Sequence, residues 1–250
     1  MPATLSVNVN KYALLRNSRG RNVPDLCWAI DLCIEAGARG ITVHPRLDQR
    51  HVRLDDVPVV ARHLGEHHPG VELNIECEDH PALIELVLAI RPDQCTLVPV
   101  RPGEVTSDHG WDPIADRERL RAASGPLRDA GVRVSCFADC EPGAVAAFAE
   151  TGTDRVELYT GPFAWAWGTA EQEARTAELW DTARAAVGAG LAVNAGHDLD
   201  RHNLAGLVGL PGLLEVSIGH AQIVRALEVG TQQSVRELLE ALSPAAAPAP

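Results

Sequence analysis

The sequence has little positive charge and almost no lysine. Lys11 is the only lysine, so every other basic residue is an arginine, and 34 acidic residues against 22 basic ones give a net charge of −12. This balance argues against nucleic acid and anionic membranes as partners, because both require a basic surface. An anionic substrate must therefore be bound by a local cluster of arginines, by Lys11 or by helix N-termini.

Long apolar runs and paired cysteine motifs are also missing. The chain has no run of about eighteen apolar residues, and its first residues, MPATLSVNVN, contain no apolar signal-peptide core. None of the six cysteines belongs to a CxxC pair; they are Cys27, Cys33, Cys77, Cys95, Cys136 and Cys140. We expect a cytoplasmic protein without a membrane span, whose cysteines are free thiols in a reducing compartment.

Short apolar runs of strand length alternate with longer helical patterns. The strand-like runs are 5–10, 40–45, 71–77, 94–100, 133–139, 155–161, 191–197 and 213–220. Helical patterns between them are bounded by proline or glycine; they include 24–38, 80–92, 141–152 and 170–190. This order predicts an α/β fold, a single (β/α)8 TIM barrel, for which about 250 residues is typical.

A doubly wound open sheet is the alternative fold. It usually has a glycine-rich phosphate loop after its first strand, and NVNKYALLRN is not such a loop. We expect one catalytic barrel domain over residues 1–243, followed by a flexible Pro/Ala tail over residues 244–250.

Polar residues recur where the predicted strands end. Active sites of (β/α)8 barrels lie at the C-terminal ends of the strands. Three histidines and two glutamates stand at or near these ends: His44, His197, His220, Glu76 and Glu157. A single histidine there is more often structural than catalytic, but buried charges in this number are costly unless they are paired or used. The pattern predicts an active site.

Two segments have the composition of phosphate sites. Gly219 and His220 precede the helical pattern AQIVRALEVG, and helix N-termini bind anions through free backbone N–H groups. Arg46, Arg50 and His51 follow the second strand in HPRLDQRHV. This second cluster also fits a solvated loop in which Asp48 pairs with an arginine.

Taken together, several motifs resemble the pyridoxine 5'-phosphate synthases of vitamin B6 biosynthesis. They are VNVNKYALLRNSRG, GARGITVHPRLDQRH, LNIE, TLVPVRPGEVTSDHGWD, TGTDRVELYTGP, NAGHDLDRHNL and EVSIGHA. The resemblance covers residues 5 to about 240. It implies a barrel that assembles into a homo-octamer and uses no metal and no organic cofactor. It also implies the condensation of 1-deoxy-D-xylulose 5-phosphate with 3-amino-2-oxopropyl phosphate to pyridoxine 5'-phosphate, phosphate and water.

The resemblance also implies residue roles. His44 and Glu76 match general bases, His197 matches a proton donor, and Glu157 matches a group that stabilises a cationic transition state. The implied site for the amino-oxopropyl phosphate comprises Asn8, Arg19, Asp198, Gly219 and His220. The implied site for the xylulose phosphate comprises Asn10, Lys11, Arg46, His51 and Thr106.

The chain departs from the common family pattern at two places. NVNK stands where many members have Asp-His as the last two residues, and GHD stands where many have Gly-His-Gly. The connection after the first strand, YALLRNSRGRNVPD, reads as a loop of about fourteen residues, long enough for a lid that closes with Arg19 on a phosphate.

Three other functions fit parts of the pattern. A metal-dependent barrel hydrolase would use His44, Glu76, His197 and His220 as ligands, although such enzymes usually begin with HxH where this chain has NVN. An aldolase or isomerase of a sugar phosphate would use Lys11 as a Schiff-base nucleophile. A non-catalytic scaffold on a barrel would usually lack these strand-end acids and bases.

Overall fold

The structure, a computed structural model, describes residues 3–101, 103–104 and 106–243. Its strands are β1 (Thr4–Asn8), β2 (Gly40–Val43), β3 (Glu72–Cys77), β4 (Gln94–Leu97), β5 (Arg133–Ala138), β6 (Arg155–Tyr159), β7 (Ala192–Gly196) and β8 (Leu213–Ile218). Its α-helices are α1 (Asn10–Asn17), α2 (Leu26–Glu35), α3 (Asp56–His67), α4 (Pro81–Ile90), α5 (Arg117–Asp129), α6 (Gly161–Ala166), α7 (Gln172–Gly188), α8 (His220–Val229) and α9 (Thr231–Ala241). The tail expected over 244–250 lies outside the described residues.

All eight strands pair in parallel with their sequence neighbours, and β8 pairs with β1 to close the barrel. The predicted (β/α)8 fold is therefore confirmed. Seven strands lie inside their predicted runs, β1 begins one residue before its run, and all but β3 end one to three residues early. β1 shows why: the side-chain Oδ1 of Asn8 accepts a hydrogen bond from the backbone N–H of Asn10 at 3.0 Å, and the chain turns into α1.

Two predictions of local structure are wrong. The stretch YALLRN, read as loop, belongs to α1, which buries Tyr12, Ala13 and Arg16. Its apolar pattern is too short to stand out from the sequence. The stretch 141–152, read as a helix, forms only a 3-10 helix over Val145–Thr151 and ends at Gly152, whose φ of 80° is left-handed.

The hydrophobic core lies between the strands and the surrounding helices. Outward-facing side chains such as Val7, Ile41 and Ile75 are fully buried there. The inside of the barrel is polar, whereas branched apolar residues usually fill it. Hydrogen bonds join these inward-facing polar side chains. For example, the hydroxyl oxygens of Ser6 on β1 and Thr42 on β2 are 2.7 Å apart. The interior can therefore hold ionisable groups below the mouth.

Deeper in the barrel, Gln94 donates a hydrogen bond to Glu215 at 3.4 Å. Burial, opposed in part by Arg155, raises the pKa of Glu215 to about 7. The cysteines are free, as predicted, and Cys77 and Cys95 place their sulfur atoms 3.6 Å apart. Among the described residues, no helix combines the length and apolar character needed to cross a bilayer.

Candidate active site

A cavity of about 470 Å³ opens at the C-terminal ends of the strands. Every residue predicted for the site except Arg19 lines it: Asn8, Asn10, Lys11, His44, Arg46, His51, Glu76, Thr106, Glu157, His197, Asp198, Gly219 and His220. The barrel brings these residues together because parallel strands all end at the same rim.

His44 and Glu76 lie against each other in the cavity. His44 Nδ1 lies 3.2 Å from Glu76 Oε2, and both side chains are largely buried. If the ring is neutral with its proton on Nδ1, that proton faces the carboxylate and Nε2 keeps its lone pair. His44 Nε2 is buried without a hydrogen-bond partner among the described residues. The pair therefore leaves one nitrogen of His44 available to take a proton.

Amide side chains fix the position of this pair. Asn8 Nδ2 donates to Glu76 Oε1 at 3.3 Å. Asn10 Oδ1 accepts a hydrogen bond from the backbone N–H of His44 at 2.9 Å. An aspartate at position 10 would accept the same bond. Asn10 makes this contact without adding a negative charge to the site.

Glu157 is a carboxyl group held away from water at the base of the cavity. It is 3% exposed, and its Oε2 has no hydrogen-bond partner among the described residues. Burial, reinforced by the carboxylates of Glu76 and Glu215, raises the pKa of Glu157. A cation entering the cavity would stabilise the ionised form and reverse this shift.

His197 lies between two aromatic rings at the end of β7. Its ring centroid is 5.5 Å from those of Phe137 and Tyr159. Burial lowers the pKa of His197, so the imidazole is largely neutral at pH 7. It can therefore pass a proton only after receiving one.

The backbone at His197 is strained. His197 and Asp198 have φ values of 80° and 57°, in the left-handed region that favours glycine. The hydroxyl of Thr160 lies 2.6 Å from the carbonyl oxygens of both Gly196 and His197. Thr160 therefore holds this turn. Aspartate is one of the few residues other than glycine that tolerate this conformation, which suits it to position 198.

One anion-binding group is the N-terminus of α8. Gly219 precedes the helix, and the first hydrogen bond to its carbonyl comes from Ile223. The N–H groups of His220 and Ala221 therefore have no partner within the helix, and both residues line the cavity. A Cβ on Gly219 would lie 2.8 Å from the backbone oxygen of Asn8, so only glycine fits.

The second anion-binding group surrounds the loop after β2. Burial, together with the nearby His44 and Arg46, lowers the pKa of His51 to about 3, so its ring is neutral. His51 Nδ1 accepts the N–H of Val52 at 3.0 Å, which leaves the ring proton on Nε2. Asp48 pairs with Arg50 at 2.5 Å. Arg46 is buried beside the cavity.

Arg19 does not reach the cavity. It is exposed, in the turn that follows α1. The connection predicted as a fourteen-residue lid is also shorter, because its first residues belong to α1. Arg16 fixes this helix: two of its guanidinium nitrogens each contact an oxygen of Asp56 at 2.7 Å. A buried bidentate pair of this kind anchors the helix, and only residues 18–25 connect it to α2.

The sequence interpretation missed several lining residues: Leu14, Val98, Ser107, Phe137, Leu199, Ser217, Ile218 and Ala221. The two-residue period of strands would have found two of them. Phe137 stands two residues after Ser135 on β5, and Ser217 stands two before Gly219.

Among the described residues, His44, Glu76, His197 and His220 do not converge as a set that could hold one metal ion. Two separate groups of three side chains do converge in this way. The first is Asp31, His63 and His68, and the second is Glu104, Asp108 and His109. No member of the first set lines the cavity. The ligand set considered for a barrel hydrolase is therefore not preformed in this arrangement.

Comparisons with known proteins agree on one family. The family model for the pyridoxal phosphate biosynthesis protein PdxJ matches residues 5–244. The pyridoxine 5'-phosphate synthase of Albidiferax ferrireducens is 47% identical over 249 residues, covering 97% of this chain and 98% of the relative. That of Xanthomonas campestris is 49% identical over 247 residues, covering 96% of each chain.

Solved structures with little sequence identity show the same fold. The tryptophan synthase complex of Pyrococcus furiosus gives a TM-score of 0.64 at 14% identity, covering 96% of this chain and 98% of that one. Phosphoribosyl anthranilate isomerase of Thermus thermophilus gives a TM-score of 0.60 at 14% identity, again covering 96% of this chain and 98% of that one.

Proposed function

The chain belongs to the PdxJ family of pyridoxal phosphate biosynthesis proteins, and from this membership we propose that it is a pyridoxine 5'-phosphate synthase. It condenses 1-deoxy-D-xylulose 5-phosphate with 3-amino-2-oxopropyl phosphate and releases pyridoxine 5'-phosphate, phosphate and water. The observation that carries the proposal is the cavity, which joins two separate anion-binding groups to a set of buried acids and bases. Holding both reactants in one cavity also offsets the entropy of bringing them together.

The free Nε2 of His44 is the first base. The Glu76 carboxylate orients the ring and stabilises the imidazolium that forms when His44 takes a proton. Ring closure removes protons from both carbon and nitrogen, so a base backed by a carboxylate suits several steps. Positioned bases of this kind typically contribute about 10²–10⁴-fold to the rate.

Glu157 and His197 act later in the same cycle. The amino group of the amino-oxopropyl phosphate carries a positive charge, which favours ionisation of the buried Glu157. The carboxylate then stabilises cationic states along the reaction. His197, neutral at rest, accepts a proton from the substrates and gives it to the hydroxyl group that leaves as water.

The two phosphates occupy the two anion-binding groups. The α8 N-terminus with Gly219 and His220 takes the amino-oxopropyl phosphate, with Asn8 and Asp198 beside it. Asn10, Lys11, Arg46, His51 and Thr106 take the xylulose phosphate. Arg19 is not assigned to either group in this arrangement.

Lys11 acts as an electrostatic ligand and forms no covalent adduct. It lies in the first turn of α1 and lines the cavity, where a compact ammonium fits beside His51 and His197. We expect Lys11→Arg to raise the KM for the xylulose phosphate about tenfold, because the planar guanidinium is larger and binds differently. Steady-state kinetics against each substrate measure this. Arg53→Lys, on the exposed loop outside the cavity, is the matched control.

Two results would contradict this role of Lys11. An unchanged KM in Lys11→Arg would remove the argument for an ammonium. A borohydride-trapped substrate adduct on Lys11 would support the Schiff-base aldolase instead.

Thr160 is proposed as a positioning residue for His197. We expect Thr160→Val to lower kcat by about tenfold to a hundredfold, because misplacing a catalytic group by about 1 Å can cost a hundredfold. KM should change little, since Thr160 does not line the cavity. Thr160→Ser keeps the hydroxyl and should restore kcat. A valine variant with the wild-type kcat and pH profile would show that the hydroxyl has no such role.

We also propose that copies of the chain assemble into a homo-octamer and work in the cytoplasm, with no metal ion or organic cofactor taking part in the reaction, as the family resemblance implies. The free cysteines suit a reducing compartment. Light scattering should give eight times the 26.8 kDa mass of one chain. A smaller particle at working concentration would contradict the octamer.

Incubation of the protein with both phosphates tests the proposed activity. Formation of a pyridine product, followed by its ultraviolet absorbance and mass, is the expected result, and omitting either phosphate should abolish it. Absence of product from folded protein would refute the proposal.

A further inference from the structure

Two histidines and an aspartate converge on the outer face of the barrel, away from the cavity. Asp31 lies on α2, His63 lies on α3, and His68 is the C-cap residue that follows α3. Their candidate ligand atoms all lie within 4.8 Å of one another. None of the three lines the active-site cavity.

The local backbone directs both rings to one point. His68 leaves the helix with φ −133° and ψ 53° while its N–H still bonds the carbonyl of Leu64 at 2.8 Å. Its ring therefore turns back beside that of His63, with centroids 5.6 Å apart. The Nε2 atoms of His63 and His68 lie 2.6 Å and 2.7 Å from the same oxygen, Asp31 Oδ1.

The donor set suits a borderline divalent ion. Two imidazole nitrogens and one carboxylate oxygen are typical zinc ligands, and a water can complete a tetrahedral site. Ligand atoms around tetrahedral zinc are about 3.3 Å apart at bond lengths of about 2.0–2.1 Å. The carboxylate must therefore move back by several tenths of an ångström from both rings. The Asp31 side chain is 37% exposed, which leaves it room to do so.

We propose that Asp31, His63 and His68 form a binding site for Zn²⁺ or a similar divalent transition-metal ion that joins α2 to α3. The ion replaces the two hydrogen bonds with three coordinate bonds, and it stabilises the packing of these helices without taking part in the reaction. The imidazoles bind in their neutral form, so the ion displaces any proton shared with the carboxylate.

Titration of Zn²⁺ into the metal-free full-length protein, followed by calorimetry, tests this site. We expect one equivalent per chain to be lost or weakened about tenfold or more in His63→Asn, His68→Asn and Asp31→Asn. Even the removal of a group that only supports a metal ligand typically lowers the affinity for the metal by about 10–100-fold. His202→Asn, an exposed histidine outside the set, is the matched control and should bind like the wild type.

Thermal unfolding supplies a second measurement. Zn²⁺ should raise the melting temperature of the wild type and of His202→Asn, but not that of His68→Asn, because an ion that binds only the folded state stabilises it. Zinc bound elsewhere would appear as an equivalent that survives all three variants. The proposal is overturned if the wild type binds no zinc, or if the three variants bind it as tightly as the control.

Discussion

Glu76→Gln is expected to lower kcat by about 10²–10⁴-fold while both phosphates still bind. The substitution keeps the size of the side chain and its contact with Asn8, but it removes the negative charge that faces His44 Nδ1 at 3.2 Å. Without that charge, the imidazolium formed at His44 loses its stabilising partner. The amide also permits the other tautomer of His44, in which Nε2 carries the proton and is no longer a base.

Single-turnover kinetics measure the effect of Glu76→Gln on the chemical step, and calorimetry with each phosphorylated substrate measures its effect on binding. Glu78→Gln makes the same chemical change two residues later on the chain, outside the cavity, and should keep the wild-type rate. Near-normal turnover in Glu76→Gln would remove Glu76 from the mechanism. Loss of phosphate binding without loss of chemistry would make it a binding residue.

Gly196→Ala is expected to reduce kcat by about a hundredfold or more, although position 196 has no side chain of its own. An added Cβ would lie 2.2 Å from Glu157 Oε1 and 3.2 Å from its Cδ. Glu157 is buried and faces the cavity, so making room for this Cβ would take its carboxyl group away from its observed position. The strain would also reach Thr160, whose hydroxyl bonds the Gly196 carbonyl.

Gly188→Ala is the matched control, because an added Cβ at the end of α7 meets nothing within 4 Å. Circular dichroism and thermal unfolding verify that both variants fold, and kinetics then compare their rates. A folded Gly196→Ala enzyme with the wild-type kcat would show that Glu157 does not need its observed position.

The sequence predicts the barrel well because the fold depends on a repeated signal. Eight apolar runs separated by helical patterns leave few arrangements, and parallel pairing then brings the strand ends to one rim. His44, Glu76, Glu157 and His197 could therefore be placed together from their positions alone. The roles assigned to them depended on the motifs.

The sequence does not predict features that depend on contacts across the fold. Helix α1 is short, and the ion pair that holds it joins Arg16 to Asp56, forty residues apart. Thr160 looks like an ordinary strand-end residue until its hydroxyl is seen beside the His197 carbonyl. Arg19 was assigned by motif, but α1 directs the following turn into solvent.

The most direct test of the account measures pyridoxine 5'-phosphate and inorganic phosphate together, from both substrates, in buffer containing a metal chelator. The account predicts one phosphate released for each pyridine ring formed, a rate unaffected by the chelator, and loss of both products in Glu76→Gln but not in Glu78→Gln. Phosphate release without ring formation, or activity that disappears with the chelator, would contradict metal-free acid–base ring closure in this cavity.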